Sequence, residues 1–337
     1  MKIDIHTHIL PPKMPDWTKK FGYGDFVTLE RTSPCSAILR RGGRFFRKIS
    51  ANCWDPGVRI EACDAQGVDL QVLSTVPVMF SYWARPRDTL DLSRFLNDHI
   101  AETVAAHPKR FIGLATLPMQ DPELAIGELE RCMKMPEMAG IEIATHVNDW
   151  NLDRAELFPI FRAARDLGAA VFVHPWEMMG QEKMSRYWLP WLVGMPAETT
   201  RAICSMIFGG VFERLPTLRV AFAHGGGSFV FTIGRIEHGF RVRPDLCAID
   251  NPVNPRHYLG HFYTDALVHD ARALRFLIDA IGTDRVALGT DYPFPLGEAE
   301  AGRLIESLDD LSAAQKEQLL CGSALTWLAR RREDFAR

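Results

Sequence analysis

The chain has 337 residues, of which 47% are hydrophobic and 24% charged, as in an ordinary globular protein. Its 39 basic and 42 acidic residues give a net charge of −3, so neither nucleic acid nor an anionic membrane is expected as a partner. Seven scattered cysteines without a C-x-x-C pair predict free thiols, and hence a reducing, cytosolic setting, rather than disulfides or a cysteine zinc site. Polar residues interrupt the N-terminal apolar run, and no window of about 18 apolar residues occurs, so we expect neither a signal peptide nor a transmembrane helix.

Short β-rich runs alternate with longer helical patterns, which is typical of βα units around a parallel sheet. Eight strands are predicted, over residues 3–9, 68–76, 111–117, 140–146, 170–174, 220–224, 261–265 and 286–291. Helical patterns separate them, for example at 122–133, 157–167, 198–213 and 270–281. Eight repeats favour an α/β fold of the (β/α)8 TIM-barrel type, with residues 1–337 as a single domain. An open doubly wound sheet is the alternative, but no G-x-G-x-x-G follows a predicted strand.

Two long segments interrupt this repeat, and both follow the C-terminal ends of strands, where barrel enzymes place their active sites. Residues 10–56 form an insertion after the first strand, and residues 175–197 form a loop after the fifth strand that is rich in Trp, Met and Pro. We expect both to cover the mouth of the barrel as lids or pocket walls. Asp55 and Pro56 predict the start of a helix, as an N-cap followed by proline at N1. Residues 312–337 predict a charged, solvated closing helix.

Candidate metal ligands lie at the ends of several predicted strands. His6 and His8 are two residues apart, so both imidazoles leave the same face of the first strand, with Ile3, Ile5 and Ile9 on the opposite face. The fifth, sixth and eighth predicted strands end in His174, His224 and Asp291. Buried imidazoles and carboxylates at such positions are costly unless they are paired or bind a metal. Their convergence on one mouth therefore predicts a mononuclear site, and this donor set suits zinc best.

Other residues near the predicted mouth have two readings each. Asp265, which ends the seventh strand, is interpreted as a structural cap or hydrogen-bond acceptor, and Thr145 and His146 as neighbours of the site or pocket walls. Arg40, Arg41 and Arg44 predict a solvated face, whereas Arg47 could bind a substrate carboxylate. Arg235 is placed similarly after the HGGG sequence. The large aromatic residues of the mouth loops predict either core or a pocket for a planar substrate: Trp176, Trp188, Trp191 and Phe294.

The ordered set of H-x-H, two further histidines and an aspartate resembles the amidohydrolase superfamily of metal-dependent barrels. Within that superfamily the sequence is most similar to the non-oxidative decarboxylase branch. The resemblance runs from Met1 nearly to the C-terminus and includes KIDIHTHILP, NCWDPGVRI, STVPVMFSYWA, THVNDW, FVHPW, YWLPWLVGMPAETT, AHGGGSF, RPDLC, FYTDALVHD and LGTDYPFPLGE. No lysine of the kind that bridges two metals in binuclear relatives occurs in the fourth or fifth strand, which favours one metal.

The resemblance assigns roles to individual residues. His6, His8, His174 and Asp291 match the zinc ligands, with a water completing the site. His224 matches the residue that activates this water, and it would either take the water's proton or deliver a proton to the substrate carbon. Substrate binding is implied for Arg47, for the pocket walls Trp191 and Phe294, and for Arg235, which matches an arginine contributed by the second subunit of a homodimer.

The resemblance also implies a reaction, namely zinc-dependent removal of CO2 from 2-amino-3-carboxymuconate 6-semialdehyde, an unsaturated dicarboxylate of tryptophan (kynurenine) catabolism and precursor of quinolinate. Two enzymatic alternatives stay open: decarboxylation of another arene or unsaturated carboxylate, and hydrolysis of an amide or lactone at the same metal. A third alternative is a binding barrel that has lost its chemistry, but such a barrel is expected to lack a ligand, and all of the ligand positions are filled.

Overall fold

Eight parallel strands form a barrel at the centre of the computed structural model, which describes residues 1–335. Each strand pairs with the next along the chain, and the first and eighth close the ring through a hydrogen bond from Ile5 N to Leu288 O, 2.9 Å, and a bridge between Thr7 and Tyr292. The predicted (β/α)8 barrel is confirmed. Its strands are Ile3–Ile9, Leu70–Thr75, Phe111–Ala115, Met138–Ala144, Ala170–His174, Val220–Phe222, Tyr263–Asp265 and Val286–Ala287.

Helices surround the barrel and connect its strands. The longest, Pro86–Ala106, buries one face against the third strand and exposes charged residues on the other. None of the helices in residues 1–335 is long and apolar enough to span a membrane. The helices are Trp17–Phe21, Pro56–Gln66, Pro86–Ala106, Pro122–Cys132, Phe158–Asp166, Met195–Phe208, Val211–Arg214, Phe229–Val242, Pro244–Cys247, Ala271–Ile281, Arg303–Glu306, Ala313–Glu317 and Ser323–Leu328.

Three predicted elements end earlier in the structure than the sequence pattern indicated. The sixth strand stops at Phe222 and the eighth at Ala287, so His224 and Asp291 lie on the loops beyond them. Both residues have positive φ, 56° and 57°, a conformation that cannot continue a strand. The predicted helix 198–213 likewise begins at Met195 and breaks after Phe208, before the left-handed Gly210.

An irregularity in the first strand changes which side chains face inward. The pairing register with the second strand shifts between Asp4 and Thr7. Ile3 and Ile5 therefore pack inside the barrel with residues of the other strands, although they were expected to share the outward face with Ile9. After this shift the histidines of the same strand also face the interior, above the apolar layer.

The insertion, residues 10–56, contains a three-stranded antiparallel sheet that the sequence did not predict, formed by Val27–Ser33, Ser36–Arg41 and Arg44–Ser50. It has its own apolar core, which is built on Trp17, Phe26 and Leu39. As predicted, Asp55 caps the helix that follows by accepting the N–H of Gly57 at 2.9 Å. Residues 175–194, called the mouth loop below, lie between the fifth strand and the helix Met195–Phe208.

The C-terminal segment is more deeply buried than predicted. Within 312–337, the described residues form short helical pieces rather than one solvated helix, and the last two residues lie outside the described part. Trp327 and Leu328 are fully buried in the cluster that fills the barrel interior with Phe172. The segment lies at the end of the barrel opposite the mouth, where Trp327 O accepts from Arg219 Nε at 2.7 Å and Arg330 donates to Met138 O at 3.2 Å, both at the starts of strands.

Candidate metal centre and active site

Three imidazoles and one carboxylate meet at the mouth of the barrel. His6 and His8 come from the first strand, His174 ends the fifth, and Asp291 lies on the loop after the eighth. All four side chains are buried, and one ligand atom from each lies within 4.8 Å of all the others. The four predicted ligands are therefore brought together, with the separation that a single ion needs.

The hydrogen bonds of the three imidazoles fit a cation at this point. Each Nδ1 faces an acceptor: Asp265 Oδ2 at 2.7 Å for His6, Thr75 O at 2.9 Å for His8 and Pro175 O at 2.9 Å for His174. Because Nδ1 then carries the proton, Nε2 presents a lone pair, and all three Nε2 atoms are buried without a hydrogen-bond donor in the described chain. His8 Nε2 also lies 3.1 Å from Asp291 Oδ1. A divalent cation bound here would accept these lone pairs and remove the repulsion between them.

The protonation preferences of the cluster suit the same interpretation. Burial lowers the pKa of His8 and His174, which keeps these imidazoles neutral and able to coordinate. For His6, burial also lowers the pKa, but the hydrogen bond and charge of Asp265 outweigh it, so the net shift is upward. Burial opposes ionisation of Asp291, yet the imidazoles of His224, His8 and His6 around it hold its pKa well below its ordinary value. His8 and His174 are thus neutral nitrogen ligands beside an ionised carboxylate.

His224 lies beside the cluster without belonging to it. Its Nε2 is 3.9 Å from Asp291 Oδ2, and its ring centroid is 5.1 Å from those of His6 and His174. Asp265 supports the strained backbone here by accepting the N–H of His224 at 2.8 Å and of Gly225 at 2.7 Å. The imidazole is therefore held where it can exchange a proton with a molecule bound at the cluster.

An open cavity leads to the cluster, and His8, His174 and Asp291 form its floor. Its walls come from the insertion, the mouth loop and the loop after the eighth strand, and include Phe46, Arg47, Trp176, Trp188, Trp191, Met195, Phe294 and Leu296. The structure thus places all four singled-out aromatic residues, and Arg47, around one chamber. A planar, largely apolar molecule fits such walls.

Arg47 is the cationic side chain among the lining residues. Its guanidinium lies 4.5 Å from the ring centroid of Phe294 and 5.9 Å from that of Trp191. Among residues 1–335 it has no ion-pair partner, so its donors are available to a ligand. Arg40 and Arg41 instead pair with exposed glutamates, and Arg44 is 84% exposed, as expected of a solvated face.

Asp265 is closer to the chemistry than its predicted structural role suggested. It does accept backbone hydrogen bonds, but the same carboxylate also fixes His6. Its position at the end of a barrel strand, like that of the ligands, was the signal for this role. Arg235 is exposed on the helix Phe229–Val242 and does not line the cavity of its own chain.

Two further buried carboxyl groups were not predicted to matter. Glu142 is fully buried with its Oε1 3.6 Å from His8 Nδ1, and burial raises its pKa well above the ordinary value. Glu198 is also fully buried and contacts both Thr145 and His146, neither of which lines the cavity. Neither acid stood out in the sequence, because Glu142 lies within a predicted strand rather than at its end and Glu198 lies within a predicted helix.

The chain belongs to the amidohydrolase family, whose sequence model matches residues 3–330. The 2-amino-3-carboxymuconate-6-semialdehyde decarboxylase of Dictyostelium discoideum is 60% identical over 97% of this chain and 91% of its own length. The protein of that name from Caenorhabditis elegans is 38% identical over 97% and 94%. A dihydroxybenzoic acid decarboxylase from Polaromonas, solved with bound manganese, has a TM-score of 0.77 at 22% identity and covers 100% of this chain and 99% of its own. The predicted resemblance is confirmed.

Proposed function

We propose that this chain is a zinc-dependent enzyme that removes CO2 from 2-amino-3-carboxymuconate 6-semialdehyde and forms 2-aminomuconate 6-semialdehyde. One observation carries the proposal: the unpaired cation Arg47 and a buried three-histidine, one-carboxylate cluster face the same aromatic-walled cavity. Relatives at 60% and 38% identity over nearly the whole chain carry this activity in their names. By removing the semialdehyde in tryptophan catabolism, the reaction would limit quinolinate formation. Seven free cysteines fit a cytosolic location.

Decarboxylation leaves an electron pair on the carbon that loses CO2, so the site needs a carboxylate anchor, an electron sink and a proton donor. A zinc ion held by His6, His8, His174 and Asp291 would supply Lewis acidity and lower the pKa of bound water to about 7. Three imidazoles with one carboxylate favour zinc over harder ions. The related Polaromonas structure contains manganese, so the experiment below also measures which metal this protein binds.

The residues of the chain bind the substrate, exclude water and move the proton. Arg47 binds a substrate carboxylate through its planar guanidinium, which the aromatic walls hold in place. Trp191 and Phe294 enclose the conjugated part of the substrate and exclude water from the carbon that loses CO2. His224, held by the contacts of its backbone with Asp265, moves the proton that the reaction requires.

The proposal includes a homodimer in which Arg235 of the partner subunit completes each site. The helix Phe229–Val242 exposes Phe231 and Val242 on the side that carries Arg235, and these side chains are 56% and 55% exposed. A second cavity, lined by Trp191, His224 and Phe231, lies between this helix and the metal cluster. It offers a route by which a long cationic side chain from outside could reach the substrate.

Metal content and turnover of freshly generated semialdehyde test the activity together. About one zinc per chain and loss of the substrate absorbance are expected, and His224→Ala should keep the metal while losing most turnover. A zinc-loaded protein that leaves the substrate unchanged would refute the assignment. Loss of metal in His224→Ala would make His224 a ligand. Release of an acid without CO2 would instead favour the hydrolase alternative, and activity on arene carboxylates alone would favour that branch.

Mixing two inactive variants tests the shared site. If Arg235 acts in the partner's site, Arg47→Ala and Arg235→Ala together form mixed dimers with one intact site, and random mixing restores about a quarter of the wild-type activity. Absence of any recovery after verified subunit exchange would contradict a shared site.

A further inference from the structure

The mouth loop supplies much of the cavity wall, and its own regular structure is limited to two short helical turns, Gln181–Lys183 and Pro190–Gly194. Trp188 and its neighbour Tyr187 both have positive φ, 57° and 59°, which is unfavourable for bulky side chains. Tyr187 and Leu192 are 72% and 50% exposed, so the outer side of the loop buries little apolar surface. Its closed position over the cavity therefore depends on contacts made elsewhere.

Glu198 provides such a contact from the first turn of the helix Met195–Phe208. Its side chain is fully buried, and Oε1 accepts the backbone N–H of Met179 in the mouth loop at 2.6 Å. Oε2 accepts from Thr145 Oγ1 at 3.2 Å, lies 3.3 Å from His146 Nδ1, and pairs with Arg201 one helical turn further on. One carboxylate thus connects the mouth loop, the segment after the fourth strand and the helix that follows the loop.

The ionised form of Glu198 is stabilised by its neighbours. Burial opposes its ionisation, but hydrogen bonds from His146 and Met179 and the charge of Arg201 together hold its pKa below the ordinary value. Hydrogen bonds to an ionised acceptor are stronger than those between neutral groups. The bond to the Met179 N–H is the one that reaches the mouth loop from this network, and Trp176 lies three residues before Met179.

We infer that Glu198 is a positioning residue that holds the mouth loop closed, and so sets the place of Trp176, Trp188 and Trp191 in the cavity wall. The link to substrate binding rests on the proposed function, whereas the link to the loop does not. Substrate should therefore bind more weakly without Glu198, while the metal cluster, which shares no hydrogen bond with Glu198, should be unaffected.

Limited trypsin digestion reads out the loop directly, because Lys183 and Arg186 are exposed within it. Glu198→Ala should raise cleavage after these two residues about tenfold or more, since a charged hydrogen bond no longer opposes local opening. KM for the semialdehyde should rise more than kcat falls, and the zinc content should stay at the wild-type value. Glu198→Gln retains an acceptor for Met179 but loses the charge, so its cleavage rate should be intermediate.

Glu128→Gln is the matched control. Glu128 is also a buried helical carboxylate paired with an arginine three residues on, Arg131, but it contacts Asn97 rather than the mouth loop. The Glu128→Gln variant should have a lower melting temperature but wild-type cleavage in the mouth loop. Wild-type cleavage in the Glu198 variants, or equal acceleration in Glu128→Gln, would overturn the inference. If Glu198→Ala fails to fold, Glu198→Gln tests the inference through the same two measurements, the cleavage rate in the loop and the change in KM relative to kcat. Faster loop cleavage in a protein that does not decarboxylate the semialdehyde would sustain the anchor and refute only the proposed function.

Discussion

Replacing Asp265 by Asn tests how the metal cluster is supported. All four groups that Asp265 contacts are donors: Oδ2 faces His6 Nδ1 and the N–H of His224, and Oδ1 accepts the N–H groups of Gly225 and Leu267. An asparagine has one oxygen, so its NH₂ group must point at two donors in either orientation. The substitution therefore releases either the His6 imidazole or the strained turn beside it.

The expected consequence is a loss of metal affinity. Groups that orient a metal-bound histidine typically contribute 10–100-fold to affinity, which corresponds to about 1.4–2.7 kcal/mol. Competition with a chromogenic chelator measures this loss in Asp265→Asn. Asp270→Asn is the control, because Asp270 caps the next helix, accepting from Ala273 N at 2.8 Å, and Asn caps equally well. Unchanged metal affinity in Asp265→Asn, with only a lower melting temperature, would mean that Asp265 has a purely structural role.

Three further predictions concern stability, each measured by urea unfolding of the metal-free protein. Burial lowers the pKa of His99 to about 4, so below pH 6.5 His99 is protonated in the unfolded chain but not in the folded one, and the free energy of unfolding falls as the pH drops. This loss, about 2 kcal/mol at pH 5, should be absent in His99→Leu. An equal pH dependence in both proteins would contradict the prediction. Trp327→Ala should cost about 3–5 kcal/mol because it empties the closed end of the barrel, whereas a loss below 1 kcal/mol would mean that the segment is peripheral. A methyl group at Gly140 would collide with the carbonyl oxygen of Ala170 in the next strand, so Gly140→Ala should lower the free energy of unfolding by about 3 kcal/mol or more. Gly127→Ala is the control, because a methyl group there lies in open space on a helix and should be neutral or stabilising. Equal effects of the two substitutions would contradict the prediction.

The overall fold and the residues that meet at the mouth of the barrel could be predicted because their signals are local. Alternating apolar runs define the eight strands, and His174 closes its run where the strand ends. The position of a ligand relative to its strand was harder, because it depends on backbone angles. His224 and Asp291 adopt positive φ in loops held by distant segments, since Asp265 accepts the N–H of His224 and His6 O accepts that of Asp291, and no local pattern reveals these contacts.

Features that depend on contacts between distant segments escaped prediction. The register shift in the first strand, which turns Ile5 inward, arises from its pairing with the second strand. The sheet of the insertion forms from runs of arginine and phenylalanine that resemble a solvated segment. Glu198 gains its role only when the fourth strand and the mouth loop fold against the same helix. Each of these cases involves tertiary contacts that outweigh local preference.

We propose that the three-histidine, one-carboxylate site beneath Arg47 catalyses decarboxylation, and the CO2 released per molecule of semialdehyde consumed measures this reaction. The protein loaded with one equivalent of zinc should release one CO2 for each semialdehyde that disappears. Chelation should abolish both signals, and added zinc should restore them. Consumption of the semialdehyde without CO2, or equal CO2 release from the metal-free protein, would contradict the account.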